Sequence, residues 1–239
     1  MQFFLKSEGY LTYTFDFSGI GSSKIESLKT FDTSAFNWGN NDLEAVIQSC
    51  KTKHPSMSLT VIGHSIGGQL IGLAPSSKYI DKIILIASQS GYWKFWKGIE
   101  KFKMILNWYL IFPILTKIYG YFPGKKLKVM EDLPKSVSME WRKWCVSPKY
   151  LFDHVNEKHL FYNKIDCELY SYSSNDDRYA PKEAVDWMAN NYKNARILRS
   201  HLNPKDFNFT KIGHFGFFKD KMKNTIWKII LENLQTTNK

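Results

Sequence analysis

The tightest constraint on this chain is the passage from an apolar run, Ser58–Gly63, into Gly63-His64-Ser65-Ile66-Gly67-Gly68 and on into a helical pattern over Ile66–Leu73. So sharp a strand-to-helix reversal needs small residues around its serine. Gly63 and Gly67 are the expected points where the backbone passes close to itself, leaving Ser65 in a strained conformation. The start of the helix favours negative charge there, and the Ile66 N–H is the expected oxyanion donor. At ordinary glycine and serine frequencies, G-x-S-x-G arises about 0.1 times in a chain of this length. Here it also has the strand–turn–helix setting that its chemistry requires.

Strands alternate with helical patterns on either side of this turn. Leu11–Asp16, Ser58–Gly63, Lys82–Ala87, Cys167–Tyr172 and Ala195–Ser200 read as strands. Trp38–Lys51, with Leu43, Val46 and Ile47 on one face, reads as a helix, as do Lys182–Asn190 and Lys219–Leu234. Continuous apolar strands between helices imply an α/β fold, a mostly parallel sheet covered by helices on both faces. The 239 residues form one domain, 1–239, with no internal repeat. The section 92–163 departs from the alternation and holds five of the eight tryptophans (93, 96, 108, 141, 144). It reads as an aromatic-rich helical insertion. Either it packs its own small core, or it caps a site at the C-terminal edge of the sheet and lends aromatics to an apolar pocket; the two are compatible.

Composition excludes several classes. Lysine and arginine number 33 against 22 acidic residues, a net charge of +11, but the basic residues are scattered. Nucleic-acid binding is therefore not expected, and weak contact with an anionic membrane surface is the remaining reading of the charge. Cys50, Cys145 and Cys167 are odd in number and widely spaced, which fits neither a disulfide framework nor a zinc site; a reducing, cytoplasmic setting is expected. Phe3–Leu5 is too short for the core of a signal peptide. Met104–Pro123 is interrupted by Asn107, Pro113, Thr116 and Lys117, so it does not read as a membrane span.

A nucleophilic serine needs a base, and the base needs a carboxylate to orient it. His214, in Gly213-His214-Phe215-Gly216, follows the last strand and precedes the last helix, which places it at the same sheet edge as Ser65. His201 competes because it ends the last strand, but the flanking glycines favour His214. His64 adjoins Ser65, and neighbours in a tight turn point apart, so it reads as a structural donor. His54, His154 and His159 lie in polar surroundings and are expected at the surface. The acid comes from Asn175-Asp176-Asp177-Arg178-Tyr179-Ala180-Pro181. One aspartate faces the site while the other makes a turn or caps the helix that starts near Pro181. Asp177 is the choice and Asp176 the alternate.

These residues resemble those of the α/β-hydrolase superfamily. Gly63–Gly68 is similar to its G-H-S-x-G-G elbow, Asp16–Ser23 to its D-x-R-G-x-G-x-S loop, Asp177–Pro181 to its D-x-x-x-P acid loop, and Gly213-His214 to its terminal G-H. The acid-loop match is the stronger reason for preferring Asp177. Essentially the whole chain resembles a branch of uncharacterised bacterial hydrolases near the serine aminopeptidase and monoacylglycerol-lipase-like groups. The resemblance implies a Ser65–Asp177–His214 triad, a cap within 92–163, and no metal or organic cofactor. There are two departures: Ser18 stands where the family has arginine, and the chain starts inside the helix that should follow the family's first strands and their His-Gly oxyanion loop. An N-terminally truncated chain is therefore expected, with its fourth and fifth family strands, Leu11–Asp16 and Ser58–Gly63, lacking the strand that separates them. The expected function is a serine hydrolase acting on a small-molecule ester, thioester or amide with an apolar group. The alternative is an impaired relic or binding module that keeps the fold.

Overall fold

The computed structural model describes residues 1–236. Its elements in chain order begin with α1 (Gln2–Ser7), α2 (Ala35–Asn37) and α3 (Glu44–Lys53). There follow β1 (Thr60–His64), α4 (Ile66–Gln69), β2 (Lys82–Ile86), α5 (Gly98–Leu106), α6 (Phe112–Tyr119), β3 (Tyr121–Phe122), β4 (Leu133–Pro134) and α7 (Lys135–Cys145). The chain ends with β5 (Glu168–Ser174), α8 (Lys182–Ala189), β6 (Arg196–Leu202), α9 (Gly213–Gly216) and α10 (Ile226–Gln235). β1, β2, β5 and β6 form a parallel sheet in that order, and β3 pairs antiparallel with β4. The chain therefore has an α/β fold of the expected kind.

The two-residue period of β2 divides the core. Ile83 and Leu85 point to one side, where they join Trp38 and Ile47 from the N-terminal helical run and Met188 from α8. Ile84 and Ile86 point to the other and join Phe4 and Leu5 of α1 with Ile226, Trp227 and Ile230 of α10. A strand buried on both faces reads as an unbroken apolar run, which is why Lys82–Ile86 was legible.

Three expectations need correction. Leu11–Asp16 forms no strand; it is extended chain with Leu11, Tyr13 and Phe15 exposed. Its β propensity finds no neighbour to bond, and β1 stays at the edge of the sheet among the described residues. Helix formation after Ser65 stops at Gln69 and gives way to a short 3₁₀ turn, Ile71–Leu73. The closing helix starts at Ile226, after a 3₁₀ turn at Asp220–Met222.

Between β2 and β5, most of the tryptophans are structural. Trp108, Trp141 and Trp144 are buried together with Phe112, Phe122 and Tyr150. Phe112 stacks on Phe122 with ring centroids 3.8 Å apart, and Trp108 meets Trp141 edge to face at 5.3 Å. Trp141 Nε1 donates to Tyr150 Oη, which in turn donates to Gln69 at the end of α4, joining this helical core to the turn that carries Ser65.

Candidate active site

Ser65 sits between β1 and α4 with φ 49° and ψ −122°, a region that non-glycine residues avoid. The surroundings hold it there. Its N–H donates to the Ile86 carbonyl at 3.0 Å, and its own carbonyl accepts from Gly68 N and Gln69 N. A Cβ on Gly63 would overlap the Gly68 backbone, and one on Gly68 would overlap Ser88, whose hydroxyl donates to the Gly63 carbonyl. A Cβ on Gly67 would meet nothing. The close approach therefore depends on Gly63 and Gly68, whereas Gly67 faces open space. Ile66 opens α4, and its N–H has no acceptor among the described residues.

Asp177 and His214 meet at the same end of the sheet. His214 Nδ1 lies 2.7 Å from Asp177 Oδ2, and both residues are buried. The second oxygen of Asp177 accepts from Tyr179 N at 2.8 Å and Ala180 N at 3.2 Å, so the carboxylate is fully engaged. With Nδ1 donating to Asp177, the neutral ring keeps its lone pair on Nε2. No hydrogen bond joins Nε2 to Ser65 Oγ among the described residues; such bonds commonly tighten only when substrate binds.

The alternate aspartate has a different task. Asp176 accepts from Ile212 N at 3.0 Å, Gly213 N at 2.9 Å and the Ser174 hydroxyl at 2.5 Å, which staples the loop of His214 to the end of β5. Burial pushes its carboxyl up, but the Ser174, Gly213 and Ile212 donors outweigh that and leave it below the ordinary carboxylate value. His64 is a structural donor as expected: its Nε2 lies 2.9 Å from the His214 carbonyl, which can only accept. Burial, reinforced by the adjacent His214 ring, lowers the His64 pKa to about 4, so the ring stays neutral and keeps the hydrogen that this bond requires.

The other histidines lie elsewhere. His201 bonds Ser173 at 2.7 Å. His54, His154 and His159 are only partly exposed: the first bonds Tyr13 at 2.8 Å, the second Ser147 at 2.6 Å, and the third packs edge-on against Phe36 with ring centroids 5.5 Å apart. Ser18, at the family's arginine position, is held by Asp42 through both its N–H and its hydroxyl. Sequence reasoning missed that anchor, since nothing local ties residue 18 to residue 42. Among the described residues no group of three or more His, Cys, Asp or Glu side chains could hold a metal ion. Cys145 and Cys167 are buried free thiols. Burial holds the first well above its ordinary value and raises the second to about 12, so neither is primed as a nucleophile.

A hollow of about 570 Å³ opens beside the acid loop, lined by Asp176, Asp177, Phe95, Trp96 and a ring of charged residues. Neither Ser65 nor His214 lines it. Trp96 Nε1 donates to the Arg178 carbonyl at 2.8 Å, and Lys97 pairs with Glu183 at 2.7 Å, so the segment after β2 is tied to the loop of Asp177 and to α8. The ring of His214 is flanked edge-on by the exposed side chains of Tyr179 and Phe215, with centroids at 5.6 and 5.0 Å.

Comparison with known proteins bears on the fold and the family. A hydrolase from Oleispira antarctica shares 16% identity, with 93% of this chain and 80% of that one covered at a TM-score of 0.53. An esterase from Pyrococcus furiosus shares 19% identity over 96% of this chain and 72% of its own, at a TM-score of 0.52. At such identities the likeness establishes the fold. No curated protein matches the chain. The family model described as serine aminopeptidase, S33, matches residues 3–138, more than half of the chain and the part that contains the Ser65 turn. With the hydrolase neighbours, this establishes that the chain belongs to the serine aminopeptidase (S33) family of the α/β-hydrolase superfamily.

Proposed function

We propose that this hydrolase-family chain is a serine hydrolase for an ester, thioester or amide carrying an apolar group. The carrying observation is a strained Ser65 at the end of β1 together with a buried Asp177–His214 pair at the same edge of the sheet. Ser65 Oγ attacks the substrate carbonyl carbon while His214 Nε2 takes the hydroxyl proton. Asp177 orients the ring and supports its positive charge, and the Ile66 N–H donates to the oxyanion. The bond to the leaving group breaks as His214 returns the proton to it, leaving the acyl group on Ser65. Water, giving a proton to His214, then releases the acid and restores the serine.

Tyr179 and Phe215, exposed beside the His214 ring, support an apolar group on the substrate. One structural neighbour is an N-acyl homoserine lactone degrading enzyme (15% identity, 91% of this chain and 80% of that one covered, TM-score 0.51). A lactone is a cyclic ester, so that neighbour supports the same substrate class. Residues 92–163 serve as the cap in this reading, and the bonds from Trp96 and Lys97 to the acid loop and α8 support that role. The free cysteines support a cytoplasmic setting.

A fluorophosphonate probe tests the reading. Covalent labelling of Ser65, absent in Ser65→Ala, together with turnover of p-nitrophenyl esters, is expected. A folded chain that neither labels nor turns over any ester would remove the proposal. It would favour the second reading, a binding module that keeps the fold. The open edge of β1 and the unbonded Ser65 hydroxyl are the observations on that side.

A further inference from the structure

α5 and α6 are joined by a stretch of π-helix, Asn107–Ile111, into one helical run whose two sides differ sharply. Trp108, Phe112 and Thr116 face inward and are buried. Outward, Ile99, Phe102, Leu106, Leu110, Ile114 and Ile118 are each between 48% and 70% exposed. The spacing of these outward residues is three and then four throughout, longer than the 3.6-residue repeat of an α-helix. The wider π turn absorbs the excess and keeps the apolar row on one face. From Ile99 to Ile118 the row runs about 30 Å along the helix axis. Single exposed apolar side chains are ordinary, but a continuous row of six marks an interaction surface.

The charge around the row selects its partner. Residues 93–129 contain eight lysines and one glutamate. Lys101 lies on the first turns, Lys117 on the last, and Lys126 bonds Tyr119 Oη at 2.7 Å where the helix ends. Lys125, Lys126 and Lys128 are all exposed just beyond it. Among the described residues no helix is long and apolar enough to cross a membrane. An apolar row with a lysine border, on a helix whose opposite face is packed into the protein, matches a helix lying in the plane of a lipid interface.

We propose that the outer face of Gly98–Tyr119 docks the protein on anionic lipid bilayers, with the apolar row entering the headgroup boundary and the lysines pairing with lipid phosphates. The row begins within a few residues of Trp96 and Lys97, the side chains tied to the acid loop and α8, so a docked chain holds its candidate site near the interface. The docking itself does not depend on the hydrolase reading.

Flotation of the full chain with vesicles of phosphatidylcholine and phosphatidylglycerol, mixed about two to one, tests this directly. At least tenfold stronger partition is expected on the mixed vesicles than on phosphatidylcholine alone. Most of that preference should disappear in about 0.5 M salt, where screening shortens the reach of surface charge. The variant Phe102→Ser/Leu106→Ser/Leu110→Ser, altered only at exposed positions, should lose binding at least tenfold while its thermal unfolding stays close to that of the parent. A charge variant, Lys117→Gln/Lys126→Gln/Lys128→Gln, touches no core residue and should lose binding several-fold. Equal partition on both vesicle types, or undiminished binding by the serine variant, would overturn the proposal. So would a concentration-dependent dimer, abolished by the serine variant, in a chain that ignores vesicles, because a second copy would then be the occupant of this face.

Discussion

The two halves of the candidate site are held in place by different means. Ser65 is positioned by backbone geometry: a positive φ, two glycines in close approach and one bond to Ile86, at a strand with an open edge. Asp177 and His214 are positioned by polar contacts, with Asp177 fully hydrogen-bonded and Asp176 clamping the next loop. Strain fixes an atom without satisfying any donor or acceptor, so it must be maintained by surrounding packing. A carboxylate network holds its groups through the bonds it satisfies and responds to pH. One half should thus fail through volume, the other through charge.

The largest effect is expected from removing the proposed nucleophile. Ser65→Ala should lower ester turnover by at least about 10⁴-fold. Ser65→Gly should be equally inactive yet more stable by about 1 kcal/mol, because glycine accepts the positive φ at no cost. A denaturant titration of the glycine variant that shows no gain would mean Ser65 is not strained. On the polar side, Asp177→Asn should cut turnover by about 10³–10⁴-fold, with little change in the unfolding midpoint above neutral pH. Stopped turnover together with a collapsed fold would break the distinction between the two halves.

The glycines provide a paired test of the packing argument. Gly68→Ala should destabilise by about 2–4 kcal/mol because its Cβ would overlap Ser88. Gly67→Ala, facing open space, should change stability by under about 1 kcal/mol. Comparable losses in chemical unfolding would show that the turn is closed differently.

His64 links the halves and gives the next effect. Its folded value near 4 lies below the ordinary histidine value of 6.5, so the unfolded chain binds the proton first as pH falls. Its contribution is complete above about pH 6.5 and declines towards pH 4, by about 3 kcal/mol in all. His64→Asn should flatten that part of the stability–pH curve; an unchanged slope would place the proton elsewhere. Asp176 gives the smallest effect. Its lowered value means that its contribution is present above the ordinary carboxylate range and is lost as pH falls through its folded value. Asp176→Asn should therefore weaken only the acid limb, with a few-fold loss of turnover from a looser His214 loop.

Much of this molecule was legible in one dimension because the relevant physics is local. The apolar residues Ile83–Ala87 within the expected strand Lys82–Ala87 announce a strand buried on both faces, and a serine among glycines after a strand announces a sharp turn. The α/β class follows from the alternation of such runs with helices. Other features depend on groups distant in sequence. Leu11–Asp16 has the residues of a strand, but a strand exists only where a neighbour accepts its hydrogen bonds, and none does here among the described residues. Gly67 and Gly68 are the same residue in the sequence; only the position of Ser88, twenty residues on, makes the second one indispensable. Asp176 and Asp177 likewise differ by what the fold brings to each: backbone amides of the next loop to one, an imidazole to the other. Along Gly98–Tyr119 the sequence shows apolar residues on more than one side of a helix. Which of them sink into the core and which stay at the surface was decided by the neighbours that pack on only one face.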